Sequence, residues 1–363
     1  MKRVRVGLGK RSYDILIGNG ILKALKSELK KLKLGKVAVI VTNPTIGRLY
    51  GHKIKQALKG CGYEINLLEV PDSEESKSFK ECIYLVNKFA KMDKGRGIFV
   101  IALGGGVIGD LAGFCASIYR RGVPYIQVPT TLLAQVDSSI GGKVAVDLLC
   151  GKNLAGSFYQ PKLVLSDVDF LKTLSNKQIR VALAEIIKYG VIADKKFFYF
   201  LERNLEEVIK LKKEKLQYIV NRCSEIKAKV VARDEYDKTG KRMILNFGHT
   251  AGHAIEAAGG YSKNYPHGYA VAVGMLVACE IARELKMISR GKIERIENLI
   301  TQAKLPTRIV GLKLKNILRA QAHDKKFISG KNRFVLPVSI GKVVVRKNIS
   351  QRIIIRAITS RFK

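Results

Sequence analysis

The chain has 363 residues, 47% of them hydrophobic, enough to fill the cores of about two domains. Its net charge is +36, from 66 Lys and Arg against 30 Asp and Glu, and six scattered cysteines form no CxxC pair. The absence of any run of about 18 apolar residues argues against a membrane span, and the cysteine pattern argues against a disulfide scaffold and for a reduced, cytoplasmic protein.

The first elements are extended. Tyr13-Asp14-Ile15-Leu16-Ile17 carries an acid and reads as a strand, not as the apolar heart of a leader peptide. Val37–Val41, Ile65–Val70, Ile98–Leu103 and Tyr125–Val128 are β-branched or apolar runs, each closed by Pro, Gly or Asn. Helix-compatible stretches such as Ser76–Met92 lie between them. Short buried strands alternating with helices predict a parallel sheet covered on both faces, with nucleotide chemistry at the carboxyl ends of its strands.

From about Leu174 the periodicity becomes helical. Gln178–Val191, Phe197–Arg233, Asn246–Ala258, Tyr269–Leu285 and Lys292–Ala303 repeat apolar residues at helical spacing. Short extended pieces follow at Phe334–Pro337 and Val343–Val345. The expected organisation is an α/β Rossmann-like domain over 1–165 and a mainly α-helical domain over 166–363. The lysines follow the helices: in Leu205–Leu216 they fill the outer face of an amphipathic repeat. That distribution, with no aromatic-basic RNA-reading motif and no basic tail, excludes nucleic acid as the expected partner. A positive field still suits an acidic substrate.

Three constellations carry chemistry. Gly104-Gly105-Gly106-Val107-Ile108-Gly109-Asp110 follows a buried strand and opens a helix, so backbone N–H groups can approach a phosphate there; glycines also make ordinary tight turns. Asp137-Ser138-Ser139-Ile140-Gly141-Gly142-Lys143 and Gly151-Lys152-Asn153 gather an acid, hydroxyls, glycines and two lysines in a stretch otherwise poor in charge, as an anion-binding active-site loop would. In the helical half, Glu185 and Lys188 sit three apart in an apolar helix and need a metal or an ion pair to justify burial. His249 and His253 share a helical face, and His267 follows a loop. From chemistry alone His249 and His253 are the natural ligand pair, beside the alternative that these histidines only cap or satisfy a core.

These segments, with Arg121-Gly122-Val123, Gln127–Lys143, Ala184–Lys188, Leu245–Glu256 and His267-Gly268, closely resemble 3-dehydroquinate synthases, in order and spacing and over nearly the whole chain. The resemblance implies a cytoplasmic homodimer that retains NAD and a divalent metal, zinc or cobalt. The implied reaction converts 3-deoxy-D-arabino-heptulosonate 7-phosphate to 3-dehydroquinate and phosphate, on the route to chorismate and aromatic amino acids. It proceeds by transient oxidation, phosphate elimination, reduction, ring opening and aldol closure. Another sugar phosphate cyclase or a metal-dependent polyol dehydrogenase is the alternative reading.

Residue by residue, the resemblance implies metal ligands Glu185, His249 and His267, which moves His253 from the metal to the substrate. It implies NAD contacts at Asn43, at Asp72, Ser73, Glu74, Glu75, Ser76 and Lys77, and at Gly105, Gly106, Val107, Ile108, Gly109 and Asp110. Further NAD contacts are implied at Thr130, Thr131, Lys143, Lys152, Phe170, Leu171, Lys172 and Thr173. Asp137, Lys143, Lys188, Asn246 and His253 are implied in catalysis. Lys152, Asn153, Lys227 and Arg242 are implied in substrate binding, with Arg121 reaching across a dimer and Lys325 or Lys326 on the phosphate. The chain departs from the family at Tyr269, where Glu is common, and at Ser73 within Asp72-Ser73-Glu74, where Gly is common.

Overall fold

The structure is a computed structural model that describes residues 1–32, 34–149, 151–260, 265–322 and 332–363. It divides into two compact units, one of 1–174 with 216–236, the other of 175–215 with 237–363.

The first unit is built on a seven-stranded sheet. In chain order its strands are β1 (Lys2–Val6), β2 (Tyr13–Gly18), β3 (Val37–Thr42), β4 (Glu64–Glu69), β5 (Ile98–Gly104), β6 (Tyr125–Pro129) and β9 (Leu163–Asp167). Their spatial order is β1-β2-β9-β6-β5-β3-β4, and every pairing is parallel except β1 with β2. The strands form where β-branched residues run together. Their alternation sends Val37, Val39 and Val41 to one face and Ala38 and Ile40 to the other.

The first face is covered by α4 (Phe79–Asp93) and α5 (Gly106–Ile118), which bury Leu85, Phe89, Leu111 and Cys115. The second is covered by α1 (Leu25–Leu32) and α3 (His52–Leu58), with α2 (Pro44–Ile46) leading into α3; they bury Leu25, Leu29, Ile54 and Leu58. Because β3 lies between β4 and β5, the strand order reverses there. The carboxyl ends of β3 and β5 therefore flank the crevice where such sheets bind nucleotides.

The expected loop around Lys143–Asn153 is instead part of an antiparallel hairpin, β7 (Lys143–Leu148) with β8 (Gly151–Phe158). The residue types suited a loop, yet Lys143-Val144-Ala145-Val146 already buries its apolar members in strand form. The boundary expected after residue 165 lies inside β9, and the first unit continues to Leu174. It also takes in most of α8 (Lys213–Arg233). Polar contacts explain that membership: Lys227 Nζ donates to Asp137 O at 2.7 Å and Oδ1 at 2.5 Å, and Arg11 makes a paired contact with Glu235 at 2.8 and 3.0 Å.

The second unit is helical. α6 (Asn176–Ala193) starts at a capping box between Ser175 and Gln178, and α7 (Lys195–Ile209) follows. The single helical period read over Phe197–Arg233 breaks at Leu211, which takes φ 56°. α9 (His249–Ala258) and α10 (His267–Glu284) come next, then α11 (Arg290–Gln302), α12 (Leu314–Ala322), the hairpin β10 (Arg333–Ser339) with β11 (Lys342–Lys347), and α13 (Gln351–Thr359). α10 is buried on nearly all sides, as an apolar helix without a polar face must be. No described helix is long and apolar enough to cross a membrane.

Candidate active site

In the second unit the chemistry gathers where three helices meet. Glu185 lies in the middle of α6, His249 opens α9 and His267 opens α10. Glycines allow the approach. A Cβ on Gly268 would overlap the Val181 carbonyl of α6. One on Gly274 would overlap the Gly248 carbonyl and lie 2.7 Å from Gly252 N. Gly248 itself sits at φ +81°, where an L side chain is strained.

The result is one ligand atom each from Glu185, His249 and His267, all within 4.8 Å of one another; this is the group fit to hold a metal among the described residues. Glu185 Oε1 is 3.6 Å from His249 Nε2 and 3.4 Å from His267 Nε2. Both Glu185 oxygens are buried without a hydrogen-bond donor in proper geometry, although Lys188 Nζ makes a close ion pair with Oε2. A carboxylate and two imidazoles on one point make a donor set suited to zinc or a similar ion, with room for a further ligand.

The other ring nitrogens are held from behind. His249 Nδ1 lies 3.2 Å from Phe247 O, and His267 Nδ1 lies 3.2 Å from Glu256 Oε2. Such partners fix the tautomer and aim Nε2 at the ion. Glu256 is absent from the sequence-derived candidates. Its signal was a buried acid in the otherwise apolar end of α9, seven residues after His249.

The charges are strongly perturbed. Burial alone pushes the Glu185 carboxyl up, but Lys188, then His249 and His267, hold it well below its usual range. Burial keeps His249 well below the usual imidazole range. Burial also lowers His267, and the neighbouring carboxylates of Glu185 and Glu256 reverse this, pushing it up to about 10.

His253 lies one turn along α9, its ring centroid 5.3 Å from that of His249 and 6.0 Å from that of His267. It adjoins the triad but is not among the three residues whose ligand atoms lie within 4.8 Å of one another. Arg242 is buried in the turn Arg242–Asn246 that precedes α9, and Asn246 ends that turn. Tyr269 sits in the first turn of α10, and the polar support of His267 comes from Glu256 instead. Lys325 and Lys326 lie outside the described residues.

In the first unit the Gly-rich turn joins β5 to α5. Gly105 caps α5 with no side chain, and the first backbone bond of the helix is Gly109 N–H to Gly105 O at 3.0 Å. The N–H groups ahead of it are unpaired within the helix, as an anion-binding helix N-terminus requires. The turn is a tight cradle: a Cβ on Gly105 would lie 3.0 Å from Thr131 Cγ2, and one on Gly106 would lie 3.3 Å from Ser138 Oγ. Thr130 Oγ1 is buried with no hydrogen-bond partner.

Around this cradle stand the other nucleotide candidates. Asn43 follows β3, caps α2 through Oδ1, and donates to Asp72 Oδ1 at 2.8 Å. Ser73 leads into the turn Glu74–Ser76, and Ser76 Oγ donates to Pro71 O at 2.6 Å. Lys77, buried, pairs with Asp110 at 2.6 Å and closely with Asn153 Oδ1. Burial pushes the Asp110 carboxyl up against the pull of Lys77. Lys152 lies 3.5 Å from Glu74. Tyr50 Oη donates to Phe170 O at 3.0 Å and lies 2.8 Å from Thr173 Oγ1, tying the turn Val168–Thr173 to the strand ends. Lys143 opens β7, its ammonium 5.7 Å from the Phe158 ring centroid.

Arg121 follows α5 in an unusual turn. Arg120 at φ 48° and Arg121 at φ 62° are consecutive left-handed residues. Each such residue costs roughly 1–2 kcal/mol without glycine.

The 3-dehydroquinate synthase N-terminal family model matches residues 67–181, and the 3-dehydroquinate synthase C-terminal model matches residues 182–327. A curated relative, the 3-dehydroquinate synthase of Desulforamulus reducens, is 45% identical over 352 residues, covering 97% of this chain and 98% of its own. Among solved structures, a 2-epi-5-epi-valiolone synthase from Streptomyces hygroscopicus with NAD+ and Zn2+ bound is 26% identical, with TM-score 0.87 and 98% of each chain covered. A 2-deoxy-scyllo-inosose synthase complexed with carbaglucose-6-phosphate, NAD+ and Co2+ is 24% identical, with TM-score 0.90 over 99% of this chain and 100% of that one, a likeness of fold. Both family models and the near-full-length relative agree: the chain belongs to the 3-dehydroquinate synthase family.

Proposed function

We propose that the chain is a 3-dehydroquinate synthase, a phosphate-eliminating lyase that cyclises 3-deoxy-D-arabino-heptulosonate 7-phosphate. The observation that carries the reading is the 45% identity, over 97% of the chain, to an enzyme of that name. The convergence of Glu185, His249 and His267 supports it.

In this reading Glu185, His249 and His267 hold zinc or cobalt, and the Gly105–Asp110 turn with Asn43, Asp72–Lys77, Thr130, Thr131, Lys143, Lys152 and Phe170–Thr173 holds NAD. When bound, NAD supplies a hydride acceptor that is regenerated within the cycle, and the metal supplies Lewis acidity toward an alcohol oxygen. Phe247 O and Glu256 Oε2 fix the ring tautomers of the two histidines. Arg242 and Asn246 recognise the substrate carboxylate, a planar anion that suits a guanidinium. Lys188 Nζ, His253, Lys143 and Asp137 are the polar groups assigned to moving or stabilising protons on the substrate, and Lys227 holds Asp137 in place. Lys152 and Asn153 contact the substrate, and Lys325 or Lys326 serves its phosphate.

We further read the enzyme as a cytoplasmic homodimer in which Arg121 serves the substrate of the second copy. Phe79, Ile83 and Tyr84 of α4, 44%, 60% and 41% exposed, support a partner on that face.

The test is incubation of the purified chain with the heptulosonate phosphate while phosphate, dehydroquinate and NADH are followed. Equal yields of phosphate and dehydroquinate, without accumulating NADH, are expected. Stoichiometric NADH release would mark a dehydrogenase. Turnover of glucose 6-phosphate in place of the acid would mark another cyclase.

A further inference from the structure

The turn after α5 is held in a way that its own backbone disfavours. Arg120, Arg121 and Gly122 take φ 48°, 62° and 126° in succession. Arg120 and Arg121 are the one pair of adjacent non-glycine residues in that region among the described residues. Such a conformation persists only where neighbours over-determine it. The neighbours here are specific. Asp93, at the end of α4 and 1% exposed, accepts from Tyr119 Oη at 3.0 Å and forms an ion pair with Arg120 Nε at 2.6 Å, both through Oδ2. Its Oδ1 accepts from Gly97 N–H at 3.1 Å. On the far side, Gly122 N–H donates to Tyr119 O at 2.9 Å, and Tyr159 Oη donates to Val123 O at 2.8 Å.

Asp93 Oδ2, Tyr119 Oη and Tyr159 Oη are spent on the turn, and Arg121 is what the turn displays. Its side chain is exposed and makes no hydrogen bond or ion pair with a described residue. A turn that only ended α5 would need neither arginine in a left-handed conformation nor a buried carboxylate to hold it there. The same turn makes sense if the direction of the Arg121 guanidinium matters.

We propose that Asp93 and Arg120 are positioning residues: the buried Asp93 carboxylate grips Arg120 and Tyr119, and so fixes the left-handed turn that presents Arg121 to an anionic group of the substrate. The inference rests on the reading of Arg121 as a substrate contact, and deepens it by naming what holds that arginine in place. Asp93 and Arg120 touch no substrate. They act by keeping Arg121 from sampling the orientations that an exposed arginine otherwise has.

The experiment uses the full chain loaded with metal and NAD, steady-state kinetics on the heptulosonate phosphate, and thermal unfolding. Arg121→Ala should lower kcat/KM about tenfold or more, as loss of a charge-assisted anion contact does. Arg120→Gly is the decisive variant, because glycine adopts φ 48° freely while releasing the clamp. It should fold at least as stably as the parent yet lose roughly threefold to tenfold in kcat/KM, and Arg120→Lys should recover part of that loss. In the Arg121→Ala background, Arg120→Gly should add nothing. Asp93→Asn should repeat the kinetic loss of Arg120→Gly. If Arg121→Ala is impaired while Arg120→Gly retains parental kcat/KM, the positioning role is wrong and the reading of Arg121 stands. If Arg120→Gly costs as much with Arg121 already absent, its effect does not pass through Arg121 and the proposal fails. A fully active Arg121→Ala enzyme removes the reading of Arg121 itself, and the proposal with it.

Discussion

Replacing Gly274 by alanine tests whether backbone contact between α9 and α10 sets the metal site. The added Cβ would overlap the Gly248 carbonyl and stand 2.7 Å from Gly252 N, where ordinary contact begins at 3.4 Å. Both obstacles are backbone, so neither can swing aside, and the closer, Gly248 O at 2.1 Å, sets the retreat of α9 from α10 at about 1.3 Å. His249 directly follows Gly248 and His267 opens α10, so the retreat parts two of the three ligands. Ligand distances tolerate about 0.2 Å, so affinity should fall steeply. Overpacking without relief costs about 3 kcal/mol, and a unit of this size loses roughly 2–4 °C per kcal/mol, so Tm should drop by about 6–12 °C. The control is Gly291→Ala in α11, whose Cβ meets nothing within 4 Å and which should leave Tm unchanged or slightly higher. Zinc content after dialysis and thermal unfolding of metal-free and loaded protein provide the assay. A Gly274→Ala protein that retains full zinc occupancy and melts within about 2 °C of the parent would refute the argument that this contact sets ligand spacing.

Three further outcomes are expected. His249→Ala should lose bound metal, whereas His253→Ala should retain it and lose most activity; equal loss of zinc from both, measured by elemental analysis, would restore the HxxxH pairing. His267 in the metal-free chain is pushed up to about 10, above its ordinary 6.5, so its proton stabilises the fold fully below about pH 6.5 and that contribution disappears as pH rises through 10. The metal must displace that proton, so zinc affinity should rise with pH toward 10, and calorimetry at pH 8 in buffers of different ionisation heat should register release of about one proton. Arg242→Ala should cost about tenfold to a hundredfold in kcat/KM for the acid substrate, with Arg242→Lys only partly restoring it, and metal content should be unchanged in both.

Much of the architecture was legible because it follows from local chemistry. The runs Val37–Val41 and Ile98–Leu103 are β-branched and apolar and end in turn residues, and they form strands buried on both faces. The Gly104–Asp110 turn announced a helix opening after a strand, and that is where α5 begins. The metal site was harder. Spacing within α9 reports which residues share its face, so His249 and His253 looked like a pair. The distance between helices, which brings His267 and Glu185 to His249, is set by the absent side chains of Gly248, Gly268 and Gly274, and nothing in the period of either helix carries it. In the sequence His267 stands out only as a histidine beyond a loop, and its place among the metal ligands came through the family resemblance. The hairpin of β7 and β8 was hidden because its polar and glycine residues suit a binding loop as well as a strand pair. Glu256 went unnoticed because a lone acid near a helix end is ordinarily solvated.

The passage of residues 216–236 into the first unit has a consequence for biosynthesis. When the ribosome has released only residues 1–174, the sheet is complete in sequence, yet Asp137 lacks Lys227, and Arg11 and Gln160 lack Glu235. The missing helix is encoded after part of the second unit, so neither unit can finish folding as an isolated nascent domain. At roughly 5–20 residues per second, the gap between Leu174 and Tyr236 keeps the first unit open for about 3–12 seconds. During that interval its exposed apolar surface is accessible to chaperones and to other nascent chains. A gene cut at residue 174 would therefore be expected to yield an aggregation-prone nucleotide domain, whereas a rearranged gene that places 216–236 directly after 174 would fold that unit without delay.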